Sequence, residues 1–310
     1  MGLPSPDVLP PASAAASPIV VATDFSAHAR HAAWRAALQA RAVGAPLALV
    51  HTVTGSALSD LRRGLPGGEE AVRALEDDAR AQLQSAADAV AQRHGVAVQQ
   101  HLTFGHPVEQ VPRLAEELQA MLVVTGTRGA GFSRGVVIGA TAERIAKRTA
   151  IPVLMVRQQP HEPYRRVLVP VDLSPWSVGA ITLARRVAPG APLVLLHVIQ
   201  VPYEGRMRLA GVADDAVQRY RENARQEAGQ RLAGLAREAG LRADEHTVSI
   251  AADADPWMMI VRAEVEHDCD LVVMGRQGRH ALEELMLGST TRMVSAEGTA
   301  DLLISIHRST

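Results

Sequence analysis

Short, almost unbroken apolar runs punctuate this chain, separated by longer segments of mixed polarity. The runs are Ile19–Ala22, Leu47–Val53, Val96–Thr103, Met121–Thr125 and Val153–Val156, followed by Val167–Val171, Leu193–Ile199, His246–Ile250, Leu271–Met274 and Leu302–Ile306. Their length and their Val, Leu and Ile content predict strands buried on both faces. The intervening segments predict helices. One runs to Val43 and stops at Gly44, and its later counterpart stops near Pro189-Gly190. Longer ones run from Glu69 to His94 before Gly95, and from Asp214 to Ala239 before Gly240. Glycine just past a helix is a common stop, because it tolerates a left-handed backbone. Ser26 and Ser174 stand where a side-chain oxygen can cap the helix that follows, and Pro175 suits a first helical turn. Strands alternating with helices imply parallel strands joined by right-handed crossovers. The expected fold class is α/β: two tandem doubly wound domains, each a five-stranded parallel sheet with helices on both faces.

The chain repeats itself. Ile19-Val-Val-Ala-Thr-Asp24-Phe-Ser26 matches Val167-Leu-Val-Pro-Val-Asp172-Leu-Ser174, the aspartates lying 148 positions apart. Pro46–His51 matches Pro192–His197 at an offset of 146, and Leu122–Gly126 matches Leu271–Gly275 at 149. Gly139 and Gly288 are also 149 apart. Ordered matches at a nearly constant offset define two copies of one unit. Pro160 and Pro163 place a linker at 158–165, between a first domain over 18–157 and a second over 166–310. Residues 1–17, rich in Pro, Ala and Ser, read as a disordered tail and lack the pattern of a signal peptide.

Chemistry concentrates after the fourth strand of each copy. Gly275-Arg-Gln-Gly278 opens a loop that closes at Gly288-Ser289 and feeds a helix. Glycines let backbone N–H groups approach an anion, and a helix N-terminus adds unpaired donors and a favourable dipole. In a doubly wound sheet, ligands bind beyond the carboxyl ends of the strands where strand order reverses. Asp24 and Asp172, at the ends of the first strands, are then expected to face their own glycine loops.

Composition narrows the function classes. Among 310 residues, 47% are hydrophobic but only 3% aromatic, so the cores are aliphatic. A net charge of −1 without charge runs gives no electrostatic footprint for nucleic acid. No apolar run reaches the length of a membrane span, so no membrane role is expected. The single cysteine, Cys269, precludes an intrachain disulfide and reads as a packed thiol. Neither a Walker-type lysine loop nor a dinucleotide Gly-x-Gly-x-x-Gly after a first strand occurs. His94, His101 and His106 lack the spacing of a metal set, and no nucleophile with its base is evident, so no catalytic or metal-ligating residues are assigned. His51 and His197 read as fold residues near the switch point.

The pattern Gly275-x2-Gly278-x9-Gly288-Ser289, with Asp-x-Ser after the first strand and Leu-His-Val at the end of the second, resembles the ATP-binding signature of the universal stress protein family. The resemblance covers both copies and implies an adenine-nucleotide-binding, Rossmann-like fold, with ATP as ligand and Mg as its accompanying ion. It places Pro170, Val171 and Asp172 at the adenosine end, Val198 at a backbone contact to the base, and Gly275, Arg276, Gly278, Arg279, Gly288, Ser289 and Thr290 around the phosphates. In the first copy it points to Asp24, Gly126, Thr127, Gly129 and Gly139, with Thr141 standing in for a hydroxyl that Ala140 lacks. Loss of a cap hydroxyl costs about 1 kcal/mol, which favours the second copy as the nucleotide site. Arg276 leaves two roles open, gripping a phosphate or filling its seat.

The resemblance further implies a cytoplasmic stress-response protein that acts through nucleotide-dependent conformation or partner binding. Loop 202–213 is a candidate transmitter. The protein partner is unknown; the two copies are expected to pair through their fifth strands as an intrachain pseudo-dimer, with homodimerisation left open. Two other readings stay open: an interaction scaffold with degenerate sites, and a slow ATPase.

Overall fold

The computed structural model describes residues 17–55, 62–63, 68–127, 140–174, 176–199, 207, 209–252, 255–276 and 287–306. The first half contains β1 (Ile19–Ala22), α1 (Ala27–Val43), β2 (Leu47–Val53), α2 (Gly68–His94), β3 (Val98–Phe104), α3 (Pro107–Glu117), β4 (Leu122–Gly126), α4 (Ala140–Arg148) and β5 (Val153–Val156). The second repeats the order with β6 (Val167–Pro170), α5 (Ser177–Val187), β7 (Leu193–Ile199), α6 (Asp214–Glu238), β8 (His246–Ala252), α7 (Pro256–Glu266), β9 (Leu271–Gly275), α8 (Ser289–Glu297) and β10 (Asp301–Ser305).

Among the described residues, ten strands join one sheet in the order β3-β2-β1-β4-β5-β10-β9-β6-β7-β8. Within each half the pairing is parallel, and β1 lies between β2 and β4 as β6 lies between β7 and β9. The chain therefore winds one way from β1 to β2 and the other way to β4, which puts the switch point between β1 and β4. The halves meet where the resemblance implied. β5 and β10 pair antiparallel, with Leu154 opposite Leu303.

Strand alternation divides the interior into two layers. Ile19, Val21, Leu47 and Leu49 face a core shared with Ala32, Ala36 and Ala40 of α1 and with Leu83 and Val90 of α2. Val20, Ala48 and Val50 face the opposite core, built with Val111 and Leu114 of α3 and Ile145 of α4. Alanine dominates the inner face of α1 and lets the helix lie close on the sheet. Ser26 caps this helix by accepting from Ala29 N–H at 3.2 Å, and Gly44 ends it at φ 67°. The matching expectation for Ser174 is corrected. Helix α5 begins three residues later, at Ser177, and Trp176 at its N-cap makes no side-chain cap bond. The Ser174 hydroxyl donates to Asp172 at 2.6 Å, and the Ser177 N–H goes to the Ser174 carbonyl at 3.0 Å, not to its side chain. Pro175 lies outside the described residues.

The seam between the halves is polar as well as apolar. Asp301, 1% exposed, accepts from Arg157 N–H at 2.8 Å and from the Tyr164 hydroxyl at 2.8 Å, and pairs with Arg35 at 3.3 Å. Arg35 also lies 3.9 Å over the Tyr164 ring and donates to Glu162 O. The Arg157 guanidinium donates to Ser295 O at 2.6 Å and Gly298 O at 2.7 Å, satisfying carbonyls left unpaired at the end of α8. Cys269 is buried beside β9, and burial pushes its thiol up to about 12. Thiolate is the reactive form. Native protein is therefore expected to resist iodoacetamide at about pH 8 and to react once unfolded in urea. Mass spectrometry showing native alkylation at the rate of a free thiol would contradict this packing.

Candidate functional site

The carboxyl ends of β1, β2 and β4 open into a cavity of about 590 Å³. That volume lies within the range of small-molecule sites. Each wall comes from a different element. Strand ends supply Ala22, Val50 and Thr125; the turn after β1 supplies Thr23, Asp24 and Phe25; the end of β2 supplies His51 to Thr54. Helix α2 contributes Leu75, Asp78, Ala79 and Gln82, a spacing that keeps them on one face. Gly126 and Thr127 with Thr141, Ala142 and Ile145 of α4 close the far end.

The turn after β1 is held in an uncommon conformation. Phe25 has φ 63°, and Leu173 in the matching turn has φ 60°. Left-handed backbone at a non-glycine residue costs about 1–2 kcal/mol, and such strain gathers at ligand sites. It turns Ser26 N–H onto Asp24 Oδ1 at 3.1 Å. A histidine on the adjacent strand braces the turn in each half: His51 Nδ1 lies 2.8 Å from Thr23 O, and His197 Nδ1 lies 2.8 Å from Val171 O. The two histidines thus hold the fold at the switch point. His51 also stacks on Phe25, with ring centroids 4.3 Å apart.

The site residues read from the sequence divide by half. In the first, Asp24, Gly126, Thr127 and Thr141 all line the cavity. Thr127 is 3% exposed; its N–H donates to Val156 O at 3.1 Å and its hydroxyl lies 3.4 Å from the same oxygen. Gly129 and Gly139 lie outside the described residues. In the second half, Pro170 ends β6, and Val171 follows it with its carbonyl against His197. The Asp172 carboxylate accepts from Ser174 N–H, Ser174 Oγ and Ser177 Oγ, so it organises its own turn. Val198 lies in β7 and Gly275 closes β9.

Gly278 and Arg279 lie outside the described residues, as do 202–206 and 208 of loop 202–213. Gly288 is the N-cap of α8 and makes no side-chain cap bond; Ser289 and Thr290 already belong to the helix. The cap argument that favoured this half therefore does not hold, because Ser289 stands one residue past the cap. Arg276 Nη1 reaches Thr149 O, beyond the end of α4 in the other half, at 3.4 Å.

Sequence reasoning missed the α2 wall, the Phe25–His51 stack and Thr125. The α2 face was legible in principle as Leu75, Ala79 and Gln82 at helical spacing; the other two needed the folded turn.

Two α/β units that each wind away from a switch point, with a ligand-sized cavity at that of the first, define a tandem protein of the doubly wound α/β class. Comparison with known sequences makes the family specific. The family model for the universal stress protein family matches residues 16–157 and again 163–305, so the chain belongs to that family. A universal stress protein of Mycolicibacterium smegmatis is 29% identical over 301 residues, spanning 92% of this chain and 96% of its own. Universal stress protein Rv2005c of Mycobacterium tuberculosis is 27% identical over 290 residues, with 89% and 92% covered. A solved universal stress protein from Archaeoglobus fulgidus shares the fold at a TM-score of 0.62 and 16% identity, covering 93% of this chain and 97% of that one. Among the described residues no helix is long and apolar enough to cross a membrane.

Proposed function

We propose that this universal stress protein binds ATP in the first-half cavity and uses occupancy to alter conformation or partner affinity. The observation that carries the reading is the cavity itself: one pocket at the switch point gathers Asp24, Gly126, Thr127 and Thr141, four positions assigned from the sequence signature alone. The adenosine moiety would lie between the Phe25–His51 stack and the α2 face. The phosphates would point past Gly126 and Thr127 toward the start of α4. There the helix N-terminus favours negative charge. Mg would ride with the phosphates. The second-half signature is a second candidate seat, supported by its glycine spacing. Helix α4 links the two, because its first turn lines the first cavity while Arg276 holds Thr149, just past its last turn.

Calorimetry on parent protein and on Gly278→Trp, placed in the second signature, tests the reading. Binding is expected in both, with the first half filled in each. No heat at millimolar ATP in the parent would end the nucleotide reading and leave the interaction scaffold. Loss of all binding in Gly278→Trp would move the site to the second half.

A further inference from the structure

We propose that Thr125 is a specificity-determining residue of the first-half cavity, donating its hydroxyl to an oxygen at the ribose–phosphate end of the ligand. The inference rests on the nucleotide reading and assigns a residue that the glycine signature does not contain. Thr125 is the penultimate residue of β4 and only 4% exposed, yet it lines the cavity. Strand alternation places it on the same face as Val123, toward Val111, Ala142 and Ile145. These neighbours are apolar. Its Oγ1 is buried and finds no hydrogen-bond partner among the described residues.

A buried hydroxyl without a partner is unfavourable and uncommon in folded proteins. Here a valine would fill the same shape without that cost. The hydroxyl is therefore placed for something that enters the cavity. It sits one residue before Gly126, at the phosphate side and away from the α2 wall. The group it meets is accordingly a sugar or phosphate oxygen. The matching position in the second half is Met274, buried at the end of β9, whose thioether is a weak acceptor and no donor. The two halves thus differ at this point, and only the first offers a hydroxyl to the ligand.

The experiment compares Thr125→Val and Thr125→Ser in full-length Gly278→Trp protein, titrated with ATP and with adenosine. Thr125→Val is expected to weaken ATP binding about tenfold, the effect of one neutral hydrogen bond at the upper end of its range. Thr125→Ser is expected to stay within about twofold of its parent. Without ligand, Thr125→Val is expected to melt at a higher temperature than the parent, because the unpaired hydroxyl is gone; a residue with only a structural hydrogen bond would show the reverse. Equal weakening for adenosine and ATP assigns the contact to ribose, and weakening for ATP alone assigns it to phosphate. ATP affinity unchanged in Thr125→Val, while the parent binds, overturns the role of Thr125 and leaves the nucleotide reading intact. Absence of ATP binding in the unmodified protein overturns both.

Discussion

Asp301→Ala is expected to destabilise the protein by about 3–5 kcal/mol, the usual consequence of removing one partner of a buried ion pair. Both groups are nearly sealed from water, with side-chain exposures of 7% for Arg35 and 1% for Asp301. Alanine at 301 would strand the Arg35 guanidinium and leave the Tyr164 hydroxyl and the Arg157 N–H without their acceptor. Burial pushes the Asp301 carboxyl up, while Arg35, the Arg157 N–H and the Tyr164 hydroxyl oppose the shift. A carboxyl raised in the folded state takes up its proton more readily there than in the unfolded chain. Its contribution to stability is thus full below the unfolded value and declines as pH rises through the folded value. Acidification alone should not open the seam at Asp301, whereas deletion should.

Arg35→Leu combined with Asp301→Ala is expected to recover part of the loss, because the stranded guanidinium is removed while the Tyr164 hydroxyl and the Arg157 N–H still lack their acceptor. The repeat already contains half of that solution. Leu183 lies 148 positions after Arg35, the same offset that relates Asp24 to Asp172, and packs against the shared core. Urea denaturation of the single and double variants would measure both effects. A single-variant loss below about 1 kcal/mol would mean that water reaches the pair, as in surface ion pairs.

The contrast between Arg35 and Leu183 also shows what sequence could and could not convey. Strands were legible because burial on both faces demands consecutive aliphatic residues: β2, β5 and β7 fall at the residues expected. Helix α1 ended where Gly44 placed its end, since that stop is a local backbone preference. Ser26 and Ser174 occupy the same local pattern, yet only the first caps its helix. The difference lies in where the helix starts: α5 begins at Ser177, and its first N–H goes to the Ser174 carbonyl. The Arg35–Asp301 pair had no signal at all, because its partners stand at opposite ends of the chain and meet only through the β5–β10 seam. At the candidate site, Asp24 and Gly126, which the family resemblance pointed to, line the cavity. The hydroxyl of Thr125 did not, since in a strand pattern threonine reads as one more β-branched residue.

Gly126→Val is expected to cost about 2–3 kcal/mol, as overpacking of a tight site does, and to abolish ATP binding in the first half. The signature's first glycine has a steric duty visible in the fold. A Cβ at 126 would stand 3.0 Å from both the carbonyl carbon and oxygen of His28, and 3.3 Å from Ala29 N. These are backbone atoms of the first turn of α1, held in place by the Ser26 cap, so no side chain can swing aside. Valine would push that turn away from the end of β4. Asp24 and Phe25, on the same stretch of chain, would move with it, and both line the cavity. Gly44→Ala is the matched control. It places a side chain where nothing lies within 4 Å, but at φ 67°, so it should cost about 1 kcal/mol through backbone strain and leave binding untouched. Chemical denaturation and ATP calorimetry on the two variants, both made in the Gly278→Trp protein, would separate a loss of site geometry from a loss of stability. If Gly126→Val bound ATP within about twofold of its parent, the approach of α1 to β4 would not be what shapes the seat; the expected result is a folded protein, weakened and empty, beside a Gly44→Ala protein weakened but able to bind.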